Sequence, residues 1–165
     1  MTSFQRVTRG AVACVVGLLL VAPPATPQGG KSAPTPIPHG LAKKSHRLIL
    51  QVNTDEPATM NLALNNAINV GQYYKDLGED VEIEIVAFGA GLHMLRDDTS
   101  PVKDRIKAIA EKMPSISFKA CANTRERMHR TENKVIPLVS QATLVKSGVV
   151  RVIELQEQGW TYVRP

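Results

Sequence analysis

Apolar residues recur with two different periods beyond residue 45, and the change of period predicts strands that alternate with helices. A compact apolar run over residues 46–52 predicts a buried first strand. Over residues 55–77 apolar positions return at steps of three and four, which predicts a long helix with Thr54 or Asp55 as its N-cap. The same patterns predict strands over residues 81–88, 116–120 and 160–164 and within 136–143, and helices after Gly91 and over residues 101–113, 123–130 and 144–158, the last with Val149, Val152, Ile153 and Leu155 inward.

Strand and helix alternating at this spacing favour right-handed crossovers and a parallel sheet that is covered on both faces. In such sheets, ligands and reactive groups gather outside the carboxyl ends of the strands. The sequence therefore directs attention to the four junctions that follow the predicted strands, which are residues 53–54, 88–91, 120–124 and 140–143.

The first 44 residues differ from the rest of the chain. Arg6 and Arg9 precede an apolar stretch over residues 11–22, and small residues follow, which is the pattern of a secretory signal peptide over residues 1–25. An uncleaved membrane anchor is the alternative. Residues 26–44 are rich in Pro, Gly, Ser and Lys and predict a disordered linker. We expect an exported, periplasmic protein without a stable membrane span after cleavage, whose folded domain covers residues 45–165.

Length and composition limit the number of domains and the kinds of partner that the folded part can have. The chain has 165 residues, of which 43% are hydrophobic and 21% charged, so that the part after the leader is the size of one globular domain. Lys and Arg number 20 against 15 Asp and Glu, and removal of Arg6 and Arg9 with the leader leaves a small positive excess. No clustered basic stripe accompanies this excess, so we expect no nucleic-acid partner.

The cysteine count is the most informative feature. Cys14 lies in the predicted leader, so Cys121 is the single thiol of the remaining chain and is inert and buried, intermolecularly paired, or reactive. Cys121 stands where a strand ends and a helix begins, with Asn123 as the predicted N-cap and Glu126 at capping-box spacing. Free N–H groups at the helix start, and the charge of Arg125 nearby, favour a thiolate.

Several chemistries remain open for this thiol. Dithiol exchange within one chain is excluded because no second cysteine stands nearby. Papain-like catalysis would use His93 or His129 as a base, but no local signature supports it, and the spacings match no zinc pattern. A persulfide carrier needs only one accessible, activated cysteine. We predict no metal and no cofactor, with Cys121 as the catalytic residue.

The glycines at positions 89 and 91 form half of a dinucleotide-binding fingerprint. The third glycine of that fingerprint is missing, so the pair is more typical of a tight turn beside the cysteine. The predicted pocket around the thiol consists of Asn53, Gly89, Gly91, His93, Asn123, Thr124 and Arg125.

Four segments together resemble the DsrE/DsrF-like family in its exported branch: NLALNNA (residues 61–67), VEIEIVAFGAGL (81–92), FKACANT (118–124) and EQGWTYVRP (157–165). The resemblance implies a three-layer α/β/α fold of flavodoxin-like type with a five-stranded, mainly parallel sheet. It also implies a homo-oligomer, trimeric or hexameric, and a sulfur-relay function in which Cys121 carries a persulfide between donor and acceptor proteins. The alternative is a non-catalytic module of the same fold that binds a small ligand or mediates assembly.

Overall fold

The computed structural model describes residues 45–165, so the predicted signal peptide and linker lie outside the described part of the chain. Strands and helices alternate as predicted. In chain order they are β1 (Ser45–Val52), α1 (Pro57–Asp76), β2 (Asp80–Ala87), a 3₁₀ helix (Gly89–Leu95), α2 (Lys103–Lys112), β3 (Ile116–Cys121), α3 (Ala122–Glu132), β4 (Ala142–Val145), α4 (Gly148–Glu157) and β5 (Thr161–Val163).

The five strands form one sheet in the order β4-β3-β2-β1-β5, and every neighbouring pair is parallel. The predicted three-layer α/β/α fold is therefore confirmed. From β1 to β4, each strand is added next to the previous one on the same side of the sheet. Right-handed connections therefore put α1, α2 and α3 on one face. The chain then returns past the starting strand to β5, which puts α4 on the opposite face.

The two faces of the sheet are covered unequally. On the face under α1, α2 and α3, a large apolar cluster includes Leu64, Ile106 and Phe118, all buried. The opposite face has a small cluster in which Val152 and Leu155 of α4 pack on β1 and β2. Among the elements of residues 45–165, α4 is the helix that shields the second face.

Beside that small cluster the second face carries an ion pair. Arg151 of α4 donates to both carboxylate oxygens of Glu84 at 2.6 and 3.0 Å, and Glu84 is buried. This contact raises the pKa of Arg151. A buried carboxylate in the middle of β2 is tolerated because a bidentate guanidinium neutralises it.

The last crossover differs most from the sequence prediction. Residues 136–141 are not a strand, and β4 instead covers Ala142–Val145, part of which was predicted to be helical. Helix α4 begins at Gly148, with Ser147 at the N-cap position. The predicted junction at residues 140–143 is therefore wrong. The carboxyl end of β4, which lies at the same edge of the sheet as the other junctions, is followed by residues 146–147.

The predicted inward face of α4 is half correct. Val152 and Leu155 are buried, whereas Val149 and Ile153 are 52% and 50% exposed. The predicted N-cap of α1 is wrong as well, because Glu56 occupies that position without a side-chain hydrogen bond. Pro57 fixes the first turn instead, since its ring has the backbone angle of a helix start.

A buried arginine, which the sequence analysis missed, holds the C-terminal end of α3. Arg96 is 1% exposed and binds Asp98 and Glu132 through pairs of hydrogen bonds. Lys134 lies 3.1 Å from the Asp98 carboxylate and 3.4 Å from that of Glu132. These contacts hold the pKa of Asp98 far below its usual range and lower that of Glu132. We call these four residues the Arg96 cluster.

Two features are absent from residues 45–165. No helix in this part of the chain combines the length and apolar character needed to cross a bilayer. Within the same residues, no group of three or more His, Cys, Asp or Glu side chains is arranged to hold a metal ion.

Candidate functional site around Cys121

Cys121 ends β3 and is itself the N-cap of α3. Its backbone is extended, and its sulfur accepts a hydrogen bond from the N–H of Thr124 at 3.4 Å. The prediction of Asn123 as N-cap with Glu126 in a capping box is therefore wrong by two residues. The cap satisfies one of the free N–H groups at the helix start and directs the sulfur at that end of the helix.

The start of a second helix also faces the sulfur. Cys121 pairs with Val145 of β4, so Gly148, the first residue of α4, follows just beyond the neighbouring strand, and its N–H is among the groups that lower the thiol pKa. This approach needs a glycine, because a Cβ at position 148 would stand 2.7 Å from the ring of Phe88. Cys121 therefore lies where the N-terminal ends of α3 and α4 meet, although the sequence analysis predicted only the first of these helices at this place.

Thr124 supplies a further donor. The N–H of Gly89 donates to Thr124 Oγ1 at 3.1 Å, which leaves the hydroxyl proton of Thr124 to point at the sulfur. Thr124 is 6% exposed, so this hydrogen bond is shielded from water. The 3₁₀ helix is thereby joined to the start of α3 through the threonine.

These donors decide the protonation of the thiol. Burial by itself raises the pKa of Cys121, but the hydrogen bonds from the Thr124 side chain and from the N–H groups of Gly148, Thr124 and Asn123 outweigh it. The pKa of Cys121 is consequently lowered from its ordinary value. A thiolate is the nucleophilic form of cysteine, so the arrangement favours reactivity.

The thiol is less accessible than the sequence analysis predicted. Cys121 is 4% exposed and is therefore buried in the core. The environment therefore affects reactivity in two opposite ways. The hydrogen-bond donors stabilise the thiolate, whereas burial admits only a small reactant or requires local opening of the structure. The sulfur forms no disulfide within residues 45–165.

The structure brings the glycines of the predicted pocket to this junction. Gly89 has a φ of +57°, and a Cβ there would lie 3.7 Å from the carbonyl oxygen of Asn53. A Cβ at Gly91 would lie 2.1 Å from the carbonyl oxygen of Val52, so only glycine fits. Gly91 thus permits the close approach of the turn to the end of β1, whereas Gly89 provides the left-handed backbone conformation of the turn.

Two of the predicted pocket residues point elsewhere. His93 Nδ1 lies 2.9 Å from Thr99 Oγ1, and Arg125 Nε donates to the carbonyl of Ile136 at 2.9 Å. Neither side chain hydrogen-bonds to Cys121 within residues 45–165. A histidine base for papain-like catalysis is therefore not in place in the described part of the chain.

Arg125 instead lines a cavity of about 420 Å³ on the outer side of α3. The cavity begins at Asn123, whose N–H is among those that lower the thiol pKa, and extends along the helix to the edge strand β4. Its wall consists of Ala122, Asn123, Arg125, Glu126, His129, Val135, Ile136 and Leu144. We call it the α3 cavity.

Comparison with known proteins supports the fold and does not assign a function. No family model matches the sequence, and no curated protein matches it. The structure is similar to that of MTH1491, a protein of unknown function from Methanobacterium thermoautotrophicum, with a TM-score of 0.61 and 29% identity. The match covers 73% of this chain and 99% of that chain.

Proposed function

We propose that this protein is an exported sulfur-relay protein of the DsrE/DsrF-like type, in which Cys121 carries sulfur as a persulfide. The observation that carries the proposal is the position of Cys121, whose sulfur caps the start of α3 and which lies beside the strand that leads into α4, so that the thiol pKa is lowered. The resemblance of four sequence segments to that family adds to it. The reaction is of sulfurtransferase type and uses no cofactor.

The proposed step balances without an added oxidant. The Cys121 thiolate attacks a sulfane sulfur of the donor, and a new S–S bond forms at Cys121. The bond between that sulfur and the rest of the donor breaks, and the leaving thiolate or polysulfide takes the electron pair. The N–H groups that stabilise the thiolate also stabilise the negative charge of the persulfide product.

The enclosure of the thiol favours a small donor in a first test. We expect the reduced full-length chain carrying Cys14→Ser, incubated with inorganic polysulfide, to gain about 32 Da, the mass of one sulfur atom, and to lose it on reduction. Cys121→Ser in the same Cys14→Ser background is the control and gains nothing. The unfolded chain, modified under the same conditions, shows that the reagent is active. If the chain with an intact Cys121 then stays unmodified in its folded state, the proposal is refuted.

A second candidate is a non-catalytic binding or assembly module, which the low exposure of Cys121 favours. The apolar stripe on α4 supports assembly into a homo-oligomer in particular. Val149, Val150 and Ile153 are each about half exposed, and one helix covers this face of the sheet.

Light scattering on the full-length chain distinguishes assembly from a monomeric state. We expect more than one subunit at micromolar concentration, and we expect Ile153→Glu to dissociate them. Gln158→Glu is the matched control, because it places the same charge at the exposed C-cap position of α4, on a different side of the helix from this stripe. A monomeric wild-type protein would refute the assembly, and equal effects of the two substitutions would refute the role of the stripe.

A further inference from the structure

The α3 cavity is formed by a helix and by the segment that folds back along it. Asn133 has a φ of +49°, the left-handed conformation that ends α3 and reverses the chain. Two side chains of α3 then fasten the returning segment. Arg125 Nε donates to the carbonyl of Ile136, and His129 Nδ1 lies 2.7 Å from the carbonyl of Lys134.

These anchors leave cationic and polar groups available on the cavity wall. The Nε hydrogen bond fixes the plane of the Arg125 guanidinium, while its terminal nitrogens form no hydrogen bond within residues 45–165. A carbonyl can only accept, so His129 donates from Nδ1, and its Nε2 forms no hydrogen bond within residues 45–165. Both residues line the cavity one helical turn apart.

The remaining charge on the wall is a carboxylate that already has a partner. Glu126 accepts a hydrogen bond from Arg130 at 3.0 Å on the same helix. Arg125 and Glu126 therefore do not neutralise each other. Glu126 pairs with Arg130, which is not part of the wall, and the Arg125 guanidinium has no carboxylate partner within residues 45–165.

The opposite wall is apolar and accessible to solvent. Val135 is 70% exposed and Leu144 is 46% exposed, and both line the cavity with the buried Ile136. Covering such side chains with apolar ligand atoms is favourable because it removes their surface from water. The volume of about 420 Å³ lies in the range typical of small-molecule sites.

We propose that the α3 cavity binds a small organic anion, whose carboxylate pairs with Arg125 and whose apolar body covers Val135 and Leu144. An arginine with free terminal nitrogens presents parallel donors that match a carboxylate in two-point geometry. The apolar wall distinguishes this ligand from an inorganic anion, which would gain nothing there. The proposal is independent of sulfur transfer, since no ligand atom needs to reach Cys121.

Titrations of the full-length chain followed by amide NMR test the proposal with three probes. Hexanoate is expected to shift resonances of the cavity residues with a Kd on the order of 1 mM, as suits so small a ligand. Hexylammonium has the same apolar chain but a positive charge, so it tests whether binding requires an anion. Inorganic sulfate is an anion without an apolar chain, so it tests whether binding requires the apolar body. If either binds the cavity as tightly as hexanoate, the proposal is overturned.

Matched variants locate the binding. Arg125→Gln should weaken hexanoate binding at least about tenfold, because a charge-assisted hydrogen bond is lost. Arg127→Gln makes the same change on α3 outside the cavity and should alter the affinity less than about twofold. Equal losses in the two variants would overturn the proposal.

A second variant keeps the test decisive if Arg125→Gln disturbs the returning segment. Leu144→Asn, at an exposed position of the edge strand, should weaken hexanoate about fourfold, the effect of roughly one buried methylene. Unchanged affinity in that variant would overturn the proposed apolar contact. Cys121→Ser should bind hexanoate as the wild type does, so the failure of sulfur transfer and the failure of this site are separate results.

Discussion

Helix α3 is fixed at its N-terminal end by N–H groups that converge on one sulfur, and at its C-terminal end by a guanidinium between two carboxylates. At the first end, loss or gain of a single proton changes the charge that the helix start stabilises. At the second end, Arg96 stays charged and its carboxylates have depressed pKa values. The N-terminal end therefore carries a charge that proton exchange at Cys121 can change, whereas the C-terminal end keeps the charges of its ion pairs.

The largest effect is expected at the C-terminal end. Arg96→Met should lower the free energy of unfolding by about 3 kcal/mol, because a fully enclosed guanidinium no longer joins its two carboxylates. Urea unfolding of the full-length chain measures it. Arg130→Met removes an exposed ion pair of the same helix and should cost at most about 0.5 kcal/mol. Similar losses in both variants would show that the Arg96 cluster does not hold this end.

An intermediate effect is expected from Thr124 at the N-terminal end. Thr124→Val removes the hydroxyl at nearly constant volume and should raise the pKa of Cys121 toward its ordinary value of about 8.5. Thr124→Ser keeps the hydroxyl and should restore the lowered pKa. The ultraviolet absorbance of the thiolate, followed against pH, measures both.

Thr131→Val is the control for that experiment, because it makes the same change at the other end of α3. It should leave the titration of Cys121 where it is in the wild type. An unchanged thiol pKa in Thr124→Val would contradict the assigned orientation of the Thr124 proton, whatever the stability of the variant.

The smallest effect is a pH dependence of stability. The folded pKa of Cys121 lies below the unfolded one, so between these two values the unfolded chain binds more protons and stability rises with pH. The free energy of unfolding of the wild type minus that of Cys121→Ser should therefore increase up to about pH 8.5 and then level off. Denaturant unfolding at several pH values under reducing conditions checks the sign, and a decrease over this interval would contradict it.

The sequence was sufficient for the fold and for the placement of Cys121 between a strand and a helix. Periodicity predicts the elements because the apolar faces of α1, β1 and β2 are continuous in the sequence. It failed at β4 and α4, where β4 has four residues and α4 is apolar on more than one side. The Ser147-Gly148 pair is the turn signal that could have placed the helix start correctly.

The contacts that define the site were beyond sequence reasoning for a different reason. Gly148 meets Cys121 across the β3–α3–β4 crossover, and Arg96 meets Glu132 across a gap of 36 residues. Such pairs have no local spacing rule. The α3 cavity was missed likewise, since Arg125 and His129 are an ordinary charged helix face until the chain reversal at Asn133 brings an apolar wall beside them.

The contact between Gly148 and Cys121 also has a consequence for folding kinetics. Because Gly148 follows β4, the sulfur receives this donor only after β4 has paired with β3 and the start of α4 has docked beside it. The native thiolate signal should therefore develop late during refolding, after a helical signal from α1 and α2. Cys121 would then act as an intrinsic, label-free probe of the final docking step.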